Sequence, residues 1–194
     1  DISYAAELGY RIKLLAIAQR GEGGIEQRVH PCMVPLHTPI AHVDGVFNAV
    51  VAEGDFVDQT VYEGRGAGAG PTASAVAADL VDIARGFNLA PFAVAASDLQ
   101  EVPTLPMDDH EGPVYVRLMV VDQPGVMADV TAILRDENVS IESMLRRGRS
   151  PGEVVSVILI LHDAREGAMK RVLKSFEDLE PVVEPPRMIR IELL

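Results

Sequence analysis

One strand-like run, Val154-Val155-Ser156-Val157-Ile158-Leu159-Ile160-Leu161, constrains the fold of this chain more than any other feature. Successive side chains of a strand point to opposite faces of the sheet, so this strand would be apolar on both faces. A sheet covered by helices on one side only has a polar second face. We therefore expect a second layer against this strand, supplied by another domain or another subunit.

The pattern around this strand predicts two helices and four strands between residues 114 and 194. Two apolar sets recur at helical spacing, and strand-like runs precede, separate and follow them. The predicted order is strand Val114–Val121, a helix with Val126, Val130, Ile133 and Leu134, strands Val139–Leu145 and Glu153–Leu161, a helix with Met169, Val172, Leu173 and Phe176, and strand Met188–Leu193. This β-α-β-β-α-β order is the ferredoxin-like arrangement.

The part before residue 114 predicts a mixed α/β domain, so the fold class of the whole chain is α+β. Asp1 is the predicted N-cap of a helix in which Ile2, Ala5, Leu8, Ile12, Leu15 and Ala16 recur, and Gly21, Gly23 and Gly24 end it. The following predictions are strands Ile25–Val34, Val43–Ala52 and Phe56–Tyr62, a hairpin turn at Glu53-Gly54-Asp55, and a helix over 72–86. Four prolines and a polar run between residues 88 and 113 indicate a linker.

A glycine run, Gly64-Arg65-Gly66-Ala67-Gly68-Ala69-Gly70, precedes the helix over 72–86. Small residues let a backbone approach a ligand closely, and the N–H groups at a helix start suit an anion. The run lacks a strict G-x-G-x-x-G, and no strand with a ribose-binding acid follows it. It is either a cofactor or substrate loop, or a strand-to-helix crossing that needs positive φ or tight packing.

A second candidate site is the turn Asp122-Gln123-Pro124-Gly125-Val126, which leads from a predicted strand into a predicted helix. Pro124 suits the first helical position, and Asp122 or Gln123 could cap the helix. The alternative is an effector site, in which the N–H groups of the helix start hold an amino-acid carboxylate and Asp122 attracts its ammonium group.

Other polar groups carry weaker predictions. His30, Cys32, His37 and His42 fit no common zinc pattern, so no metal site is predicted, and nothing supports Cys32 as a nucleophile. Arg146, Arg147 and Arg149 form a basic turn that is either solvated or engaged in an intersubunit or effector contact.

The composition excludes several classes of partner and location. The net charge of −12 argues against nucleic acid and anionic membranes, because both need a basic surface. A single cysteine cannot form an internal disulfide, and neither a membrane-spanning run nor a signal peptide is visible. These features predict a cytoplasmic protein, and Asp1 at the start of a helical pattern suggests the C-terminal piece of a longer one.

The region 114–194 resembles an ACT domain, through its element order and the motifs Val120–Val126, Asn138–Ile141 and Val154–Leu161. The resemblance implies a regulatory module that binds a small amino acid between subunits, with threonine as the expected effector. The implied effector-binding residues are Asp122, Gln123, Pro124, Gly125, Val126 and Met127 of one subunit with Asn138, Val139, Ser140 and Ile141 of its neighbour.

The preceding region resembles the later part of the homoserine dehydrogenase catalytic domain, through 1–16, Val29-His30-Pro31, Val46–Val50 and the glycine run with 71–76. The resemblance implies NAD(P)-dependent interconversion of aspartate semialdehyde and homoserine, in threonine and methionine biosynthesis, by a dimer or tetramer. It assigns cofactor contacts to Gly66, Ala67 and Gly68. It also divides the chain into a substrate and dimerisation part (1–107), a linker (108–113) and the ACT domain (114–194).

The same resemblance places the nucleotide fingerprint and the proton-donating lysine upstream of Asp1. No catalytic residue is therefore expected in this chain, and Lys13 is expected to be an ordinary helix residue. We expect the chain alone to be inactive. The alternative function is that of a non-catalytic amino-acid-binding and dimerisation module.

Overall fold

The computed structural model describes residues 1–87, 90, 92–146 and 152–194. It divides into two compact units, Asp1–Pro35 with Pro103–Leu194, and Leu36–Val102. The elements are α1 (Ile2–Glu7), β1 (Tyr10–Gly21), β2 (Gly24–Pro35), β3 (Phe47–Gly54), β4 (Asp58–Arg65), α2 (Ala69–Ala84), β5 (Glu111–Val121), α3 (Val126–Asp136), β6 (Ile141–Arg146), β7 (Val154–Arg165), α4 (Glu166–Glu177) and β8 (Arg187–Ile191). Within the described residues, no helix combines the length and the apolar character that crossing a membrane requires.

The first unit contains one six-stranded sheet in the order β1-β2-β8-β5-β7-β6. The predicted β-α-β-β-α-β order is confirmed, because β5 pairs antiparallel with both β7 and β8, and β6 pairs antiparallel with β7. The hairpin β1–β2 extends this sheet, since β2 pairs in parallel with β8 at Cys32↔Arg190 and Met33↔Ile191.

The main core lies between the sheet and helices α3 and α4. The helices contribute Val130, Leu134, Met169, Val172 and Phe176, all at most 1% exposed. Leu159 of β7 packs in the same cluster. The spacing of these apolar residues therefore identified the buried face of each helix correctly.

The opposite face of the sheet carries the second layer that the sequence predicted. Ile158 and Ile160 of β7 pack there with Tyr115 of β5 and with Ala5 of α1. Polar contacts also hold this layer, since Tyr115 donates a hydrogen bond to Asp1 Oδ1 (2.8 Å). The cover thus comes from the N-terminal segment of the same chain rather than from another subunit.

The predicted N-terminal helix is too long. It ends at Glu7, Gly9 turns the chain with φ +83°, and Tyr10 begins β1. The residues from Tyr10 to Gly21 pair along their whole length with β2. The local apolar spacing is compatible with a helix or a strand, and the hydrogen bonds to β2 decide for the strand. Lys13 therefore lies on a strand and not on a helix.

The second unit contains the hairpin β3–β4 and helix α2. The predicted hairpin is confirmed, although β3 begins at Phe47 rather than Val43, since a turn with positive φ at Gly45 (φ +65°) precedes it. None of the described residues of β3, β4 or α2 is buried, and Phe56 and Ile83 are 93% and 71% exposed. A two-stranded hairpin is marginally stable by itself. These elements therefore lack a core of their own.

The compact units divide the chain differently from the predicted domains. Asp1–Pro35 belongs to the same unit as the ACT-like elements, because β2 and α1 complete their sheet. The predicted linker at 108–113 is also structured. Its second half is the start of β5, and the His110 carbonyl accepts a hydrogen bond from the Glu166 N–H (2.8 Å).

Candidate functional site

Two glycines shape the loop between β4 and α2, Gly66 through close packing and Gly68 through a positive φ. The Gly66 N–H donates to the Val46 carbonyl (2.9 Å), and a Cβ on Gly66 would overlap the side-chain amide of Asn48. Gly68 has φ +121° and is the N-cap of α2. The crossing therefore needs both positive φ and tight packing. Gly66, Ala67 and Gly68 are exposed, so their backbone is open to a ligand beside the start of a 16-residue helix.

The turn before α3 is organised differently from the predicted cap. The N-cap is Gly125, with φ +98°, and no side chain caps the helix, so the prediction that Asp122 or Gln123 caps it is wrong. Asp122 instead forms an ion pair with Arg146 of β6. Its backbone joins the segment before β7, through Asp122 N–H to Glu153 O (2.8 Å) and Gly152 N–H to Asp122 O (2.9 Å).

These contacts define what Asp122 can do for a ligand. Its carboxylate already faces the Arg146 guanidinium, so an incoming ammonium group would have to share or replace that partner. An amino acid carries both charges, and its carboxylate could in turn engage Arg146. Arg147 and Arg149, the other residues of the predicted basic turn, lie outside the described residues.

The second predicted half of the effector site lies at the other end of α3. Asn138 has φ +57° and ends the helix, with Val139 N–H donating to Leu134 O (2.8 Å). Ser140 O accepts a hydrogen bond from His162 N–H (3.0 Å), and Ile141 begins β6. Eleven helical residues, roughly 16 Å, separate this end from the Asp122–Met127 turn. One chain does not bring the two halves together, so a shared site between two chains stays a prediction.

Sequence reasoning missed a cluster of charged side chains where β2 meets β8. We call Glu26, Arg28, His30, His110 and Glu192 the seam cluster. Arg28 donates two hydrogen bonds to Glu192, from Nε to Oε1 (3.0 Å) and from Nη2 to Oε2 (2.8 Å), and it also pairs with Glu26. His30 Nε2 lies 3.1 Å from Glu192 Oε1, and His110 Nδ1 lies 2.7 Å from Glu26 Oε1.

Arg28, His30 and Glu192 of the seam cluster are buried, and this burial contributes to pKa shifts of His30 and Glu192. The side chains of Arg28 and Glu192 are only 4% and 8% exposed. Burial alone would raise the pKa of Glu192, but hydrogen bonds from Arg28 and His30 outweigh it and lower that pKa. Burial lowers the pKa of His30, although Glu192 opposes the shift. The cluster thus favours an ionised Glu192 beside a neutral His30.

A sequence signal for this cluster exists. Glu26, Arg28 and His30 alternate along β2, so they lie on one face of a strand that is otherwise largely apolar. Their partner Glu192 is 164 residues from Arg28, which no local pattern reveals.

The remaining predicted candidates have structural roles. Burial raises the pKa of Cys32 to about 12, so its thiolate is not available as a nucleophile near neutral pH. His42 Nε2 lies 2.7 Å from the Leu36 carbonyl oxygen. Within the part of the chain that the structure describes, no group of three His, Cys, Asp or Glu side chains could hold a metal ion.

Two family models match this chain. Residues 1–81 match homoserine dehydrogenase, and residues 114–180 match the ACT domain. Among curated relatives, the homoserine dehydrogenase of Neisseria gonorrhoeae is 41% identical over 200 residues, covering 100% of this chain and 46% of the relative. That of Helicobacter pylori is 37% identical, covering 99% and 45%. The chain therefore spans a little under half the length of these relatives.

Solved structures show the same similarity. The homoserine dehydrogenase of Thiobacillus denitrificans superposes with a TM-score of 0.88 at 44% identity, over 100% of this chain and 45% of that one. The Staphylococcus aureus enzyme shares the fold, with a TM-score of 0.66 at 22% identity, 100% coverage of this chain and 45% of its own. The motifs, the fold and these matches lead to one assignment: the chain belongs to the homoserine dehydrogenase family and contains an ACT domain.

Proposed function

We propose that this chain is the C-terminal part of a homoserine dehydrogenase that interconverts aspartate semialdehyde and homoserine with NADPH or NADH. The observation that carries the proposal is similarity along the whole chain, at 41% identity to an enzyme of that name. The exposed apolar surface of β3, β4 and α2 supports it, since Val50, Tyr62 and Leu80 are each more than 60% exposed. That surface needs cover from residues beyond this chain or from another subunit.

The glycine loop fits a nicotinamide cofactor. Its exposed backbone has no side chain at Gly66 or Gly68, and the start of α2 offers N–H groups to an anionic or polar part of the cofactor. When bound, the cofactor supplies the hydride that, with a proton, converts the aldehyde to the alcohol. The role of this chain is to let the cofactor approach closely at Gly66, Ala67 and Gly68. We assign no catalytic residue to it.

The domain division at 1–107, 108–113 and 114–194 belongs to the same proposal, as a division into functional parts. So do a cytoplasmic location, a role in threonine and methionine biosynthesis, and assembly as a dimer or tetramer. Exposed apolar residues on β3 and α2 support assembly.

Turnover measurements test the catalytic proposal. We expect oxidation of the reduced nicotinamide by aspartate semialdehyde when the chain carries its upstream sequence, and none with the 194 residues alone. The reason is that the family's proton donor and main nucleotide fingerprint are expected upstream of Asp1. Turnover by the isolated chain would refute its assignment as a non-catalytic part. If a folded protein that includes the upstream sequence shows no turnover, the proposed homoserine dehydrogenase activity is refuted.

A second function, amino-acid binding by the ACT domain, is favoured by the Asp122–Arg146 pair at the turn before α3. The pair presents one negative and one positive group next to the helix start, which matches the two charges of an amino acid. We propose threonine as the ligand, bound between this turn and residues 138–141 of a second chain. The ACT domain would then regulate the enzyme. The alternative is that the chain acts without catalysis, as an amino-acid-binding and dimerisation module.

Calorimetry with threonine tests this second function. We expect Asp122→Ala to raise the Kd at least about tenfold, because a charge-assisted hydrogen bond is worth about 1.5–3 kcal/mol. Asp178→Ala is the matched control, because Asp178 is a 69% exposed carboxylate that follows the last residue of α4. This variant should bind threonine like the unsubstituted chain. If no amino acid binds, or if Asp122→Ala binds equally well, the ACT domain has only a structural role.

A further inference from the structure

The contact between β2 and β8 is short for a sheet junction. Only two residue pairs form its ladder, Cys32↔Arg190 and Met33↔Ile191. The Glu192 N–H then donates to the Met33 carbonyl (2.9 Å). By comparison, β1 and β2 pair along all twelve residues of β1. Backbone pairing alone therefore joins the N-terminal hairpin to the ACT strands weakly.

The seam cluster reinforces this short junction. Arg28 and His30 of β2 both contact Glu192, the residue that follows β8. Arg190 of β8 also faces the cluster, and its guanidinium is held by Glu166 of α4 through Nε to Oε2 (2.9 Å). The junction is therefore surrounded by contacts between charged side chains of β2, of β8 and the residue after it, and of α4.

The energetics of such a cluster favour two discrete states. Separating one partner from a buried ion pair is strongly unfavourable, because the other charge stays desolvated and unpaired. Within the described part of the chain, every buried side-chain nitrogen and oxygen has a hydrogen-bond partner. The closed cluster is complete, so partial opening would leave charges unsatisfied. The junction is thus either closed or opened to water. An element that couples two sites needs two such discrete arrangements.

The chain path connects this junction to both proposed sites. On one side, β2 ends at Pro35, and the next residue begins the segment Leu36–Val102 that carries the glycine loop. Pro103, the residue that follows that segment, contacts the same strand, because its carbonyl accepts a hydrogen bond from Ile25 N–H (2.8 Å). On the other side, β8 pairs with β5, which leads directly into the Asp122 turn.

We propose that the seam cluster is the coupling joint through which an amino acid at the ACT turn regulates the segment that carries the glycine loop. Binding at Asp122 acts on β5 and its neighbour β8, and the junction transfers the change to β2, which continues into the segment at Pro35 and is hydrogen-bonded to Pro103, the residue that follows it. The inference rests on the proposed function, since it needs a bound amino acid and a regulated activity.

The test uses Glu192→Gln in the protein with its upstream sequence. The substitution keeps the shape of the side chain and removes the charge that Arg28 and His30 share. We expect threonine to bind with a Kd within about twofold of the unsubstituted protein, because Glu192 is not part of the effector turn. Inhibition of turnover by threonine should weaken at least about fivefold, the lower end of typical allosteric coupling.

Two further variants keep the test decisive. Asp178→Asn removes a charge from an exposed pair with Lys174 and should leave binding and inhibition unchanged. Glu26→Gln removes the more exposed acid of the cluster, at 15% exposure, and replaces Glu192→Gln if that variant does not fold.

Hydrogen exchange at the Glu192 amide, which donates to Met33, should change severalfold when threonine binds to the unsubstituted protein.

The outcomes separate the inference from the proposed function. If the unsubstituted protein binds threonine and is inhibited, but both cluster variants are inhibited equally well, the coupling joint is refuted and the regulatory function stands. A merely structural role would lower the unfolding temperature and leave the degree of inhibition unchanged. If the unsubstituted protein neither binds nor responds to threonine, both proposals fail together.

Discussion

Residues 111–194, expressed without the preceding part of the chain, are expected to lose the folded monomeric state. This segment contains all four strands and both helices of the ACT domain, but it lacks α1 and β2. Tyr115, Ile158, Ile160 and Ile191, all at most 4% exposed in the chain, would then face water. Four such side chains account for about 6–12 kcal/mol at about 1.5–3 kcal/mol each. That amount is comparable to the whole stability of a typical domain.

Size-exclusion chromatography with light scattering and thermal unfolding would measure this effect. We expect self-association or a broad, non-cooperative transition for residues 111–194. The control is the same segment with Ile158→Thr and Ile160→Thr, which keeps β-branched side chains on β7 and makes the exposed face more polar. The control should self-associate less. A monomeric 111–194 segment that unfolds at the temperature of the full chain would show that the N-terminal cover contributes little.

Phe176→Ala is expected to cost about 3–5 kcal/mol of unfolding free energy, the usual range for deleting a buried aromatic ring. Phe176 is 0% exposed on α4 and packs in the main core with residues of the sheet and α3. Its removal leaves a cavity between two layers that are each held by hydrogen-bonded backbone, so neither layer can collapse fully into it.

Urea unfolding followed by tyrosine fluorescence would measure the loss. The chain has no tryptophan, and three of its four tyrosines, Tyr4, Tyr10 and Tyr115, lie in the unit that contains Phe176. The midpoint should fall while the slope stays constant. Glu177→Ala, the neighbouring exposed residue on the same helix, should change the stability by less than about 0.5 kcal/mol. A loss below about 1 kcal/mol for Phe176→Ala would contradict this account of the core.

Apolar spacing is a local signal that predicts helices and strands, whereas strand pairing depends on residues far apart in the chain. The elements from β5 to β8 were predictable, because each apolar face repeats within a few residues. The same signal misled at Ile12 and Leu15, where helical spacing coincides with a strand whose pairing partner begins three residues after it ends. Local sequence cannot distinguish these cases, since the ladder with β2 decides the outcome.

The two candidate sites were predictable to different degrees. One reading of the glycine run was a crossing that needs positive φ or tight packing, and the structure shows a positive φ at Gly68 and close packing against Asn48 at Gly66. At Asp122, capping chemistry indicated a local partner, but the observed partner is Arg146, which a helix and most of a strand separate from it. The seam cluster combines one local pair on β2, Arg28 with Glu26, with distant pairs to Glu192 and His110, and no local pattern reveals the distant ones.

The position of Glu192 has a consequence for how the chain folds during synthesis. Arg28 leaves the ribosome long before Glu192, and Tyr115 follows Asp1 by 114 residues. The N-terminal hairpin and α1 must therefore wait for strands that are made much later, and such non-local pairing slows folding. Meanwhile the apolar side chains of Leu8, Ile12 and Met33 have no cover from the sheet. The first thirty-five residues are thus a segment that chaperones would be expected to protect until the last strand is complete.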